Sequence, residues 1–118
     1  ELLRGGAAVN QAQKDGCSPL FMASEKGHVE MVKELMRGGA AVNQAAKYGY
    51  SPLYVASEKG HVEVVKELLR GGADPSLVTD NGGTALTVAH HFGHTRIMQL
   101  LLRSAEPPPE APRRESIG

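Results

Sequence analysis

The sequence predicts an all-α solenoid of stacked helix-turn-helix units, and three observations predict it. The stretch 38–70, GGAAVNQAAKYGYSPLYVASEKGHVEVVKELLR, recurs with a period of 33 residues: 5–37 differs from it at seven positions, and 71–103 follows it more loosely. Each copy carries two short helical patterns joined by Gly-His, at Gly27-His28, Gly60-His61 and Gly93-His94. Two helices of this size cannot enclose a core. Each pair must bury its apolar side against its neighbours, and a fixed period of this length marks a stacked array.

Within the central copy, Ser51 is placed to cap a helix N-terminus and Pro52 occupies the first helical position, where its missing amide hydrogen costs nothing. The helix runs through Leu53, Tyr54, Val55 and Ala56 to Lys59. Gly60 ends it, because glycine reaches the left-handed cap conformation cheaply. His61 begins a second helix whose first turn holds Glu63 and whose last turn holds Arg70, each suited to the dipole at its end, and Gly71 stops it. Val64, Val65, Leu68 and Leu69 fall on one face at helical spacing, with Glu63, Lys66, Glu67 and Arg70 on the other.

Ser18-Pro19-Leu20 with Ala23, Ser51-Pro52-Leu53 with Ala56, and Thr84-Ala85-Leu86 with Ala89 resemble the Thr-Pro-Leu-His signature of ankyrin repeats and its following Ala. The register continues through Gly27-His28-Val29-Glu30, Gly60-His61-Val62-Glu63 and Gly93-His94-Thr95-Arg96, and through the Gly-Ala-x-Val-Asn turns at Gly6 to Asn10 and Gly39 to Asn43. The chain departs from the signature at Phe21, Tyr54 and Thr87, where the family has His after Leu, so the family's Thr-to-His bond between turns is not expected here. Ala8 and Ala41 stand where the family often has Asp, and Asp74 matches. The resemblance implies an ankyrin-repeat solenoid of helix-turn-helix units joined by β-turn or hairpin loops. It also implies a concave binding side formed by the turn tips and the exposed ends of the first helices. By resemblance those positions are Lys14, Asp15, Cys17, Glu25 and Lys26; Lys47, Tyr48, Tyr50, Glu58 and Lys59; and Asp80, Asn81, Gly83, His91 and Phe92. Asn10 and Asn43 resemble ankyrin asparagines that intracellular hydroxylases modify.

The organisation that follows is a remnant of a preceding repeat at 1–4, repeats at 5–37, 38–70 and 71–103, and a tail at 104–118. Glu1-Leu2-Leu3-Arg4 aligns with Glu67-Leu68-Leu69-Arg70, the last turn of a second helix, so the chain reads as a fragment of a longer protein. Leu2 and Leu3 leave an apolar end open to end-to-end self-association. The third copy has drifted furthest: Arg96 and Leu100 replace the acidic Glu63 and Glu67, which points Leu100 toward solvent. The tail, with Pro107, Pro108, Pro109 and Pro112, reads as disordered or polyproline-like. Within it, Pro109 to Arg114 fits the P-x-x-P-x-R form taken by SH3 domains, and Arg113-Arg114-Glu115-Ser116 fits a basophilic kinase preference.

Composition excludes more than it assigns. Lys and Arg number 13 and Asp and Glu 13, a balance that argues against a general nucleic-acid or anionic-membrane binder. The single Cys17 rules out an internal disulfide framework and suits a reducing, intracellular setting, cytoplasmic or nuclear. No apolar run reaches the roughly 20 residues that span a bilayer. His90, His91 and His94 are close in sequence, but Gly93 breaks the helix between them and His94 repeats His28 and His61. No metal is assigned to them, and His28, His61 and His94 are assigned local hydrogen bonds at the helix-to-helix turn. No phosphate loop, nucleophile elbow or His-Glu-x-x-His pair is present, so neither cofactor nor catalytic residue is assigned. The expected role is protein binding without chemistry. The alternative is a substrate-targeting module of a larger enzyme, such as a kinase, ubiquitin ligase or transferase, with the catalytic part outside this chain.

Overall fold

A computed structural model describes residues 9–12 and 16–104, and six α-helices and one short 3-10 turn, Lys47–Gly49, lie wholly within them. The α-helices are α1 (Pro19–Lys26), α2 (Val29–Arg37), α3 (Pro52–Lys59), α4 (Val62–Arg70), α5 (Ala85–His91) and α6 (Thr95–Ser104). Leu2, Leu3, Lys14, Asp15 and the tail motifs lie outside the described residues. No strand forms among the described residues, and none of their helices is long and apolar enough to cross a membrane.

Each first helix starts on a hydroxyl, as the sequence dictates. Ser18 Oγ accepts the Phe21 N–H and Ser51 Oγ the Tyr54 N–H, both at 3.1 Å. Thr84 accepts the Thr87 N–H at 3.2 Å while Thr87 Oγ1 accepts the Thr84 N–H at 2.8 Å, closing a capping box. Thr87 thus turns the departure from the signature into a local cap. Gly27 and Gly60 end α1 and α3 in the left-handed region, at φ 76° and 81°.

The helices stack in two layers. First helices α1, α3 and α5 pack side by side, second helices α2, α4 and α6 form the other layer, and each pair also packs on itself. The core between them is a ladder of equivalent residues. Leu35, Leu68 and Leu101 are buried in the second-helix layer, and Ala23, Ala56 and Ala89 let the first helices approach closely. Removing water from each such leucine is worth roughly 1.5–3 kcal/mol, which a lone helix pair would forfeit on its uncovered sides.

Stacking is fixed by polar bonds between units. His61 Nε2 donates to the Glu25 carbonyl at 2.9 Å and His94 Nε2 to the Glu58 carbonyl at 3.1 Å. These bonds are not local, which corrects the expectation for His61 and His94. The ring leaves the start of a second helix and reaches the end of the preceding first helix, whose last carbonyls have no intrahelical donor. The turns are joined in the same way. Asn10 Oδ1 accepts the Ala41 N–H at 2.7 Å, Asn43 Oδ1 the Asp74 N–H at 2.9 Å, and the Tyr48 carbonyl the Asp80 N–H at 2.9 Å.

The polar face of α4 is less uniform than its pattern. Glu63 and Arg70 are exposed, but Lys66 and Glu67 are half-buried, paired with Glu63 and Arg70 respectively. Leu100, at the place of Glu67, is likewise half-buried and packs against the core rather than pointing into solvent. That position borders the groove between neighbouring second helices, so an apolar side chain is covered there. Leu102 is the leucine of α6 left in solvent.

Candidate functional site

The turn tips and first helices enclose a groove of about 260 Å³ lined by Cys17, Phe21, Glu25, Ala46, Lys47, Tyr48, Tyr50, Val55, Glu58 and Lys59. The tip itself is built by the backbone. Ala46 N–H donates to the Tyr50 carbonyl at 2.7 Å, as Thr79 N–H does to the Gly83 carbonyl at 2.8 Å, so each loop closes like a short hairpin. At its apex, Tyr48 sits at φ 64° and ψ 16°, followed by Gly49 at φ 78°. Tyr48 is the only non-glycine residue among those described with positive φ. A side chain there costs about 1–2 kcal/mol. Asn81, which holds the same place in the next tip, avoids this conformation.

The strained tip presents a row of rings. Tyr50 and Tyr54 stack at 4.9 Å between centroids with planes 17° apart, and Tyr48 lies 6.2 Å from Tyr50 at a tilt of 57°. Lys47 Nζ stands 5.3 Å over the Tyr48 ring, within cation–π range. Tyr48 is 59% exposed whereas Tyr50 and Tyr54 are half-buried. Tyr54 also lies against the next tip, its hydroxyl oxygen 3.3 Å from where a Cβ on Gly83 would sit. Burial, followed by the nearby Tyr50 and Glu58 charges, raises the Tyr54 phenol above its usual value and keeps its hydroxyl protonated. On the neighbouring turn, hydrogen bonds from the Ser76 hydroxyl and N–H hold the Asp74 carboxyl below its usual value.

Of the residues assigned to the concave side, Cys17, Glu25, Lys47, Tyr48, Tyr50, Glu58 and Lys59 line this one groove. Lys26 lies instead beside Pro19, Met22, His28 and Met31 on the face of the array before α1 and α2. Asp80 and Asn81 are exposed on the next tip, where Asn81 Oδ1 accepts the Thr79 hydroxyl at 2.9 Å. His91 and Phe92 meet edge to face at 4.7 Å at the exposed end of α5 and do not line the groove. Phe21, Ala46 and Val55 are groove residues not among those assigned from the sequence. Phe21 is visible there as a departure from the signature; Ala46 and Val55 carry no such signal.

The arrangement offers rings, carboxylates and ammonium groups on an open surface. A stacked array whose turns are tied one to the next, and whose first helices all present their ends to one side, is what the family model described as Ankyrin repeats (3 copies) matches over residues 1–79. The model described as Ankyrin repeat matches 81–111. The chain belongs to the ankyrin-repeat family. Ankyrin repeats are generally protein–protein interaction modules and generally non-catalytic. No curated protein matches the chain. In ankyrin terms, the groove lies between the first two described first helices and the tip that carries Tyr48, and the tyrosine row runs from that tip toward the one that carries Gly83.

Proposed function

We propose that this chain is a protein-binding module that holds its partner on the turn tips and first-helix ends, with no chemistry of its own. The repeats are proposed to run 5–37, 38–70 and 71–103, and Lys14 and Asp15, which hold the repeat positions of Lys47 and Tyr48, to complete the contact surface. The observation that carries this reading is Tyr48, held 59% exposed on a backbone that disfavours any side chain. Strain of this kind persists where surrounding structure imposes it and clusters at functional positions. A tyrosine supplies large contact area at small entropic cost and is enriched among residues that dominate binding energy. Around it, Glu25 and Glu58 and the ammonium of Lys47 give a partner both signs of charge to match, which favours orientation over raw affinity.

Site-specific photo-crosslinking tests the surface. A benzophenone side chain at Lys59 or Asp80 should capture a discrete partner from cell extract, while one at Glu34 or Arg37 on the second-helix side should not. Equal capture from both sides, or capture from the second-helix side alone, would overturn the reading.

A further inference from the structure

We infer that the partner reaches the tyrosine groove with a cationic side chain, arginine before lysine, which meets the Tyr50 ring and the carboxylates of Glu25 and Glu58. The inference rests on the binding surface proposed above and names the chemistry that fills it. The two sides of the array treat their acidic residues differently. On the second helices, Glu30, Glu34, Glu63 and Glu67 each pair with a Lys or Arg three residues further on. On the turn and first-helix side, Glu25, Glu58 and Asp80 enter no ion pair among the described residues. Lys26 and Lys59 directly follow the two glutamates, but residues one apart on a helix do not face each other.

These two glutamates are also the less solvated ones. Glu25 and Glu58 are half-buried, whereas Glu30, Glu34 and Glu63, which have partners, are exposed. Taking a carboxylate from water without a counter-charge costs free energy that an arriving cation recovers. Glu58 stands near enough to Tyr54 that its charge, after burial and Tyr50, raises the phenol. The rings add a second attraction, because the face of a tyrosine is negative and draws cations. Lys47 already shows this within the chain, its ammonium 5.3 Å over the Tyr48 ring. Tyr50 lines the groove together with Glu25 and Glu58, so a cation there meets ring and carboxylates at once. Asp80 adds negative charge from the next tip, its Oδ1 lying 3.0 Å from where a Cβ on Gly49 would sit. Around the ring row, three carboxylates therefore stand against the exposed ammonium groups of Lys47 and Lys59, a net negative surround. A groove of about 260 Å³ is smaller than the clefts of about 300–1,000 Å³ that enclose drug-sized molecules, and suits one long side chain of an extended segment. Arginine fits better than lysine, because its planar guanidinium can lie on a ring while its edge offers paired N–H donors to a carboxylate.

The test selects short random peptides, displayed on phage, for binding to the unaltered chain. Enriched sequences should share a basic residue at one fixed position, arginine more often than lysine. A synthetic peptide of that consensus, followed by fluorescence polarisation, should bind at least about ten-fold more weakly to Glu58→Gln and to Tyr50→Leu, each with unchanged circular dichroism. Glu34→Gln, on the second-helix side, should leave its affinity unchanged. Selection on Glu58→Lys should exchange the basic residue for Asp or Glu, which a purely steric role for Glu58 would not produce. Peptides that share an acidic or apolar residue instead, yet still crosslink to a benzophenone at Lys59, would overturn this inference and leave the proposed surface standing. A selection that yields no consensus would likewise overturn the inference alone. Peptides indifferent to Glu58→Gln and Tyr50→Leu that crosslink only from the second-helix side would overturn both.

Discussion

Substituting Gly60 and Gly93 with alanine separates two reasons for a glycine at the same place in successive repeats. Both glycines have positive φ, 81° and 73°, so each alanine bears the left-handed penalty of about 1 kcal/mol. Only Gly60 is overlain by a ring: its new Cβ would lie 2.8 Å from His94 Cε1 and 3.1 Å from Nε2. The ring must move, and the 3.1 Å bond from Nε2 to the Glu58 carbonyl goes with it, a further loss of about 1 kcal/mol. Gly60→Ala should therefore destabilise by about 2–3 kcal/mol and Gly93→Ala by about 1 kcal/mol. At roughly 4–8 °C per kcal/mol for a chain of this size, Gly60→Ala should melt at least about 4 °C below Gly93→Ala. Thermal and urea unfolding of the two proteins, at a concentration where both are monomeric, give the comparison. Combining Gly60→Ala with His94→Ala should restore part of the difference by removing the clash. Equal destabilisation by the two glycine substitutions would refute the claim that histidine packing fixes the spacing between repeats.

Ser57 Oγ is fully buried in α3 with no hydrogen-bond partner among the described residues, as is Ser24 Oγ in α1. Ser57→Ala should raise stability by about 1 kcal/mol in urea titration, and a loss instead would reveal an unseen partner for the hydroxyl. The raised Tyr54 phenol gives a pH dependence of definite sign. The folded state holds this proton more tightly than the unfolded one, so the contribution is complete below the ordinary tyrosine value and is lost as pH climbs through the raised folded value. Above about pH 10 the unaltered protein should lose stability more steeply than Tyr54→Phe, and parallel slopes would show that the phenol is not perturbed.

Much of this architecture was legible because its determinants are local. Ser18 and Ser51 cap, Pro19 and Pro52 start, and Gly27 and Gly60 stop their helices through atoms no more than a few residues away. The period then implied stacking without specifying how the units touch. The His61 and His94 bonds were misread as local because their acceptors belong to the preceding repeat, and the burial of Leu100 depends on a groove that exists only between two helices. At the site, position in the turn identified Tyr48 and Tyr50 as surface aromatics. The backbone of Tyr48 could not be read: Tyr-Gly gives no sign of a left-handed tyrosine, and the more typical Asn81-Gly82 pair places only its glycine there. Lys26 illustrates the opposite failure. It holds the repeat position of the groove residue Lys59, which faces the unit before its own; for Lys26 that side is the face before α1 and α2, not the groove.

Tyr48→Gly tests the central claim most directly, because strain and binding then act in opposite directions. Glycine removes the left-handed penalty of about 1–2 kcal/mol and should raise the thermal midpoint. The same change deletes the exposed ring and should weaken the crosslinked partner's affinity at least about ten-fold, measured by isothermal titration with purified components. A more stable protein that binds more weakly is the predicted result. A more stable protein with undiminished affinity would place the interface elsewhere and contradict the account.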